Sequence, residues 1–402
     1  MKYADRVRRV VPSAIRDLLR HGADPRIISF GGGYPDPALF PMDDLRAVYA
    51  ELLAGNRAAL QYCPSDGLPE LREHVAKRLG RDGIAAGPAD VLIIQGSQQG
   101  LDLAGKLVLN PGDTVVTENP TFLGALIAFN PFEPRYAPVR IDEDGMDTDD
   151  LARVLARSPS ARLLYTVPDF QNPTGVTMSL PRRRRLIELA NEHDLLVVED
   201  TPYRELRYDG EHLPTLKSLD TEGRVLHLGS FSKILAPGLR LGWAVAGGEI
   251  QEKLALLKLA ADTQCSTLNM AAVSLYLDRF DIDAHIATMV PAYRHKRDLM
   301  LDTLRTAFPD TVRFTIPQGG LFTWLTFPPV HDTPFDSTFD STFDTEVFMR
   351  EVALPLAGVA YVPGRTFFPT TPEHHHARFN FSGLTDERIT DGLTRLGAHL
   401  PR

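Results

Sequence analysis

The chain has 402 residues, 43% of them hydrophobic and 24% charged, which suits a large packed core and excludes wholesale disorder. Its 43 basic and 52 acidic residues leave a net charge of −9, without the basic footprint of a nucleic-acid binder. Two cysteines, Cys63 and Cys265, are too few for a disulfide framework or a self-contained zinc site, and no apolar run reaches the roughly 18 residues that span a bilayer. With no apolar run behind Met1-Lys2-Tyr3, a soluble, cytoplasmic globular protein is expected.

Ser13 to Arg20 reads as a short helix opened by a serine cap. The Gly- and Pro-rich run from Pro25 to Pro35, with Gly31-Gly32-Gly33, predicts an extended segment whose backbone comes close to something. Helical spacing returns over Met42–Leu53 and Gly67–Leu79. Val91–Ile94 is then a buried strand, followed by a helix over Gln98–Leu109 that Asn110-Pro111-Gly112 stops. Further strands are expected at Thr114–Thr117, Leu163–Val167, Leu195–Glu199, Arg224–Leu228 and Leu241–Val245, with a helix over Pro181–His193. Strands separated by helices at this spacing predict an α/β fold, a mostly parallel sheet covered by helices on both faces, with ligands at the carboxyl ends of its strands.

After residue 280 the pattern becomes α+β. A long helix is expected through Tyr293–Leu304, strands at Val312–Thr315, Leu321–Leu325 and Ala377–Phe381, and helices over Thr345–Val352 and Asp386–Leu396. The expected division is a large domain over 46–290 and a small domain built from 1–45 and 291–402. The four-residue repeat from Phe335 to Thr345 reads as a surface loop before a helix, and His374-His375-His376 as a solvated loop with no metal.

Only 8 of the 43 basic residues are lysines, and one stands out in Gly229-Ser230-Phe231-Ser232-Lys233-Ile234-Leu235-Ala236-Pro237-Gly238-Leu239-Arg240. Lys233 follows a buried strand in a Gly/Ser-rich turn, where an amine is placed to form a Schiff base with an aldehyde. Ser230, Ser232 and Arg240 are suited to phosphate oxygens. A phosphorylated aldehyde that uses a lysine is pyridoxal 5′-phosphate.

With that segment, the chain resembles the fold-type I pyridoxal-phosphate aminotransferases of class I/II, and within them the branch of the 2-aminoadipate and kynurenine aminotransferases. The resemblance covers nearly the whole chain. It rests also on Ser29-Phe30-Gly31-Gly32-Gly33, Leu60-Gln61-Tyr62, Gly96-Ser97-Gln98-Gln99-Gly100, Phe170-Gln171-Asn172-Pro173-Thr174-Gly175, Glu199-Asp200-Thr201-Pro202-Tyr203 and Arg378. It implies that Asp200 faces the pyridine nitrogen and that Asn172 and Tyr203 bond the ring hydroxyl. It likewise implies that Phe122 stacks on the ring, while Ser97 and Gln98 open a helix whose N-terminus attracts the phosphate. Arg378 becomes the fork on the substrate α-carboxylate. Gly33, Tyr34 and the Arg16 of a mobile N-terminal helix become substrate neighbours, and Tyr62 reaches the phosphate of a neighbouring subunit in a homodimer. Tyr34, Asp36, Thr201 and the Phe335–Thr345 insertion depart from the branch's usual pattern.

The expected reaction moves an amino group from an L-amino acid to a 2-oxo acid, 2-oxoglutarate being the expected acceptor, with Lys233, Asp200 and Tyr203 as the catalytic set. The same scaffold also serves lyases, decarboxylases and oxidases, which differ in the Cα bond that breaks. Some regulators carry this domain behind a basic DNA-binding module. Here the pattern begins within the first twenty residues and the charge is negative, which disfavours that role.

Overall fold

The computed structural model describes residues 2–8, 24–328 and 343–401. Arg16, the helix expected over Ser13–Arg20 and most of the Phe335–Thr345 repeat lie outside the described residues. In chain order the strands are β1 (Ile28–Ser29), β2 (Val91–Ile94), β3 (Thr114–Asn119), β4 (Arg135–Asp142), β5 (Gly145–Met146), β6 (Ala161–Thr166), β7 (Leu196–Asp200), β8 (Val225–Ser230) and β9 (Gly242–Val245). They continue with β10 (Arg313–Phe314), β11 (Phe322–Thr326), β12 (Val359–Ala360), β13 (Val362–Pro363) and β14 (His376–Asn380).

Eight of these form one sheet in the order β2-β9-β8-β7-β6-β3-β4-β5. From β8 through β7, β6 and β3 to β4 every neighbour is parallel. Strands of this kind are buried on both faces, so alternate residues feed different cores. Leu163, Tyr165 and Val198 join the core shared with Leu101 and Ala104 of the helix Ser97–Val108. Leu164 and Val197 join a second core with Leu151 and Leu155 of the helix Thr148–Arg157 and with Leu186 and Leu189 of Leu180–Glu192. β9 runs antiparallel to β8 because the connection, residues 231–241, is too short to hold a crossover helix. That hairpin connection carries Lys233 and leaves it at the carboxyl end of β8.

A four-stranded antiparallel sheet, β10-β11-β14-β13, forms from the C-terminal part. The N-terminal segment packs beside it: β1 pairs with β12 in parallel as a separate two-stranded sheet, the Phe30 amide donates to Ala360 O at 2.7 Å, and the Asn380 amide of β14 donates to Phe30 O at 2.8 Å. The long helix, Ile282–Ala307, fastens the far end of the same segment. Its Tyr293 hydroxyl accepts from the Asp36 amide at 3.0 Å, and Lys296 Nζ donates to Asp36, Ser382 O and Leu384 O. Residues 31–34 are thereby held between two anchors. The approach there is close: a Cβ on Gly32 would lie 2.2 Å from the Tyr34 ring and would push that ring aside.

Two expected elements differ in detail. The helix over Thr345–Val352 is a short α-turn, Thr345–Phe348, running into wider turns through Ala357, with Pro355 inside them. The last unit of the four-residue repeat is anchored rather than loose. Phe343 is buried against Phe327 and Phe348, and Asp344 caps the helix start by accepting from the Glu346 and Val347 amides. Among the described residues no helix is long and apolar enough to cross a membrane.

One buried ion cluster supports the turn that follows β6. Asp169 is 1% exposed and contacts Arg183 at 2.7 Å, Arg204 at 3.1 Å and Arg207 at 3.6 Å. Arg183 itself has no exposed side-chain surface and also donates to Pro168 O at 3.0 Å. Asp169→Ala would leave that guanidinium buried without its counter-charge. The expected loss is about 3–5 kcal/mol, read as a lowered urea midpoint at unchanged slope.

Candidate active site

A cavity of about 310 Å³ lies where the carboxyl ends of β3, β6, β7 and β8 meet residues 31–34 and the small sheet. Each side chain in it has a local reason for its place. Gly96 has φ +75°, turning the chain sharply between β2 and the helix that starts at Ser97. A Cβ there would come within 2.9 Å of Arg240 Nη2. The helix N-terminus therefore points its free N–H groups into the cavity beside an arginine, a combination suited to a phosphate. Ser230, at the end of β8, donates from its hydroxyl to Ser232 Oγ at 2.9 Å and accepts from the Ser232 amide at 3.1 Å, which shapes the turn that presents Lys233.

Lys233 Nζ donates to Gly33 O at 2.7 Å. Burial, with Arg378 and Arg240 nearby, brings its amine down to about 8. Asp200 closes β7 and is 2% exposed. Its Oδ2 accepts from the Tyr165 hydroxyl at 3.2 Å, while Oδ1 is buried and makes no well-formed hydrogen bond among the described residues. Burial raises the carboxyl to about 6, against the pull of Tyr165, Ser97 and His227. Asn172 and Tyr203 are joined at 3.2 Å by the Asn172 amide donating to the phenol oxygen. Burial pushes that phenol up to about 12. Arg378, on β14, crosses from the small sheet: Nη1 donates to Asn172 Oδ1 at 2.9 Å and Nη2 to Gly31 O at 2.6 Å. Its guanidinium lies 4.2 Å from the Phe322 ring centroid and 5.1 Å from that of Phe367, and burial lowers it to about 10.

The structure brings together Gly33, Tyr34, Ser97, Gln98, Phe122, Asn172, Asp200, Tyr203, Ser230, Ser232, Lys233, Arg240 and Arg378 around this one cavity. Tyr62 is not among the lining residues; it is 81% exposed on the surface. Five contributors were not singled out from sequence: Tyr165, the backbone carbonyls of Gly31 and Gly33, and the walls Phe322 and Phe367. Tyr165 sits inside a strand run that reads as core, and a backbone carbonyl leaves no residue signal.

The histidine run is not the solvated loop that its composition predicts. His376 begins β14, stacks on Trp324 at 5.2 Å and shares a hydrogen bond with Thr326 Oγ1 at 3.0 Å. Pairing with β11 draws it into the small sheet. Ligand atoms of Glu373, His375 and His376 lie within 4.8 Å of one another, and Glu373 Oε2 is already joined to His376 Nε2 at 3.0 Å.

These groups fit one kind of ligand. Three cationic side chains, Lys233, Arg240 and Arg378, and a single carboxylate, Asp200, line the cavity, so it suits an anionic molecule. Asp200 Oδ1 and Arg378 Nε are buried polar atoms that make no well-formed hydrogen bond among the described residues, which is costly unless a ligand satisfies them. A lysine amine with a lowered pKa, a phosphate cradle and an unpaired carboxylate match pyridoxal 5′-phosphate group by group.

Known proteins agree with this chemistry. The family model described as "Aminotransferase class I and II" matches residues 30–396. The chain is 40% identical to aromatic-amino-acid aminotransferase 1 of Thermococcus litoralis, over 96% of this chain and 90% of that protein. It is 38% identical to 2-aminoadipate transaminase of Thermus thermophilus, over 98% and 94%. The solved structure of a kynurenine aminotransferase from Pyrococcus horikoshii superposes with a TM-score of 0.90 at 38% identity, covering 98% of this chain and 96% of that one. The chain belongs to the class I and II aminotransferases and is a fold-type I transaminase that uses pyridoxal 5′-phosphate.

Proposed function

We propose that the cavity carries out transamination of an L-amino acid with a large, mainly apolar side chain, and that 2-oxoglutarate is the amino acceptor. When bound, the cofactor supplies an electrophilic aldehyde and an electron-withdrawing ring that acidifies the amino acid's Cα–H. Ser97, Gln98, Ser230, Ser232, Arg240 and the helix N-terminus would hold its phosphate. Asp200 Oδ1, unpaired and buried, would meet the ring nitrogen and keep a proton there. Asn172 and Tyr203 would hold the ring hydroxyl, and Phe122 one ring face. Arg378 would receive the substrate carboxylate in its fork, steadied by Asn172 and Gly31 O. Lys233 Nζ, once free of the aldehyde, would take the Cα proton as general base.

The observation that carries this reading is the convergence of Lys233, Asp200, Asn172, Tyr203 and Arg378 on one cavity. The apolar donor is suggested by the side chains that fill the rest of the lining, Tyr34, Leu123, Val362, Phe322 and Phe367. Relatives named for aromatic amino acids and kynurenine support it. A homodimer in the cytoplasm completes the proposal. Tyr62 stands exposed beside the exposed Leu60, and this apolar surface suits a second copy whose cavity Tyr62 would reach. A large domain over 46–290 and a small one from 1–45 and 291–402 fit the two sheets.

The test is a half-reaction screen on the holoenzyme without acceptor. Phenylalanine, tyrosine and kynurenine are expected to shift the cofactor absorbance and yield one 2-oxo acid per site without oxygen uptake. Release of carbon dioxide or consumption of oxygen would assign the scaffold to a decarboxylase or oxidase instead.

A further inference from the structure

The mechanism leaves unused a buried acid that has no cationic partner among its hydrogen bonds. Glu118, next to the end of β3, is 1% exposed. Its Oε1 accepts from Thr166 Oγ1 at 2.5 Å and from the Val167 amide at 3.3 Å, and its Oε2 accepts from Gln171 Nε2 at 2.9 Å. None of these partners is a cation. A carboxylate so placed carries a desolvation cost that no counter-charge offsets, and burial raises it to about 7, the Asp200 charge adding to the rise. A group this costly would be replaced by an apolar side chain unless its acceptor capacity were needed.

The need is visible in Gln171. That amide is saturated: Nε2 donates to Glu118 and to Pro120 O at 2.9 Å, while Oε1 accepts from the Thr174 amide at 2.9 Å and the Thr174 hydroxyl at 2.7 Å. Gln171 thereby fixes the turn whose next residue is Asn172, and ties it to the Pro120 backbone two residues before Phe122. Glu118 Oε2 and Pro120 O together orient the Gln171 Nε2 group, and Glu118 Oε1 takes the Val167 amide, so the two oxygens of one carboxyl tie β3 to the turn after β6.

We propose that Glu118 is a positioning residue: acting through Gln171, it sets the Asn172 turn, and with it the Asn172–Arg378 pair that receives the amino acid's carboxylate. This rests on the reading of Arg378 as the carboxylate fork.

The test compares holoenzyme variants in steady-state transamination with phenylalanine. Glu118→Ala and Gln171→Met are each expected to raise KM for the amino acid at least tenfold, with kcat within threefold of wild type. The double variant should exceed neither single by more than twofold, because both cut one linkage. Glu118→Gln, whose carbonyl can still accept from Gln171, should keep KM within threefold. A purely structural role would lower the melting temperature and the active fraction without moving KM. Should Glu118→Ala fail to fold, Gln171→Met alone decides: an unchanged KM overturns the proposal. Arg378→Lys is the control. If it raises KM while the Glu118 and Gln171 variants do not, the positioning role alone falls; if Arg378→Lys leaves KM unchanged, the carboxylate fork and the positioning role fall together.

Discussion

Lys233→Ala is expected to lower turnover by about 10⁴-fold, the upper range for removing a general base, with loss of covalent attachment added. The variant should still fold, since its side chain makes only the hydrogen bond to Gly33 O among the described contacts. Full transamination by this variant would contradict the assignment. The lowered pKa gives a second reading of the same side chain in the cofactor-free protein. An aldehyde is attacked by the neutral amine. With the folded pKa near 8 rather than 10.5, the neutral fraction falls about tenfold per pH unit below 8 and levels off above it. The rate at which cofactor is taken up covalently should therefore rise to a plateau just above pH 8. A rate still climbing through pH 10 would place the reacting amine on an ordinary exposed lysine.

Arg378→Met is expected to lower kcat/KM for the amino acid by about 10²–10³-fold, the effect of deleting a buried, hydrogen-bonded charge that meets an opposite charge. Most of that should appear in KM, because the carboxylate is held alike before and during proton transfer. Arg378→Lys keeps the charge and loses the planar fork, and should fall between the two. The environment explains the size of the effect. The guanidinium sits between two aromatic rings with its Nε unpaired, so little water competes for the carboxylate. Amines that lack a carboxylate should then react as slowly with wild type as amino acids do with Arg378→Met. Equal KM values for wild type and Arg378→Met would remove Arg378 from the substrate site.

The Lys233 segment was legible from its own residues, a lysine just past a strand in a Gly/Ser-rich turn, whereas the roles of Asp200, Asn172, Tyr203, Phe122 and Arg378 were read from the family resemblance. Lys233, Asp200 and Ser97 each lie just past a mainly apolar run, and such runs mark strands buried on both faces. The parallel core of the sheet was legible for the same reason. β4, with its mixed pattern Arg135–Asp142, gave no such run, and only pairing with β3 makes it a strand. The reversal of β9 is set by the length of the Lys233 connection, which the sequence contains but which becomes decisive only beside its neighbours. Phe322 and Phe367 read as core aromatics, and nothing local separates a wall of a cavity from the interior. Tyr165 and Glu118 were invisible for a related reason: each is a polar residue in a buried strand whose partner lies many residues away, Asp200 for one and Gln171 for the other.

The central claim is that one amine, Lys233, carries the cofactor. Borohydride reduction of the holoenzyme followed by peptide mapping tests it most directly. One reduced cofactor per chain is expected, on the peptide containing Ser232-Lys233-Ile234. A label on any of the other lysines, or none at all, would contradict the account.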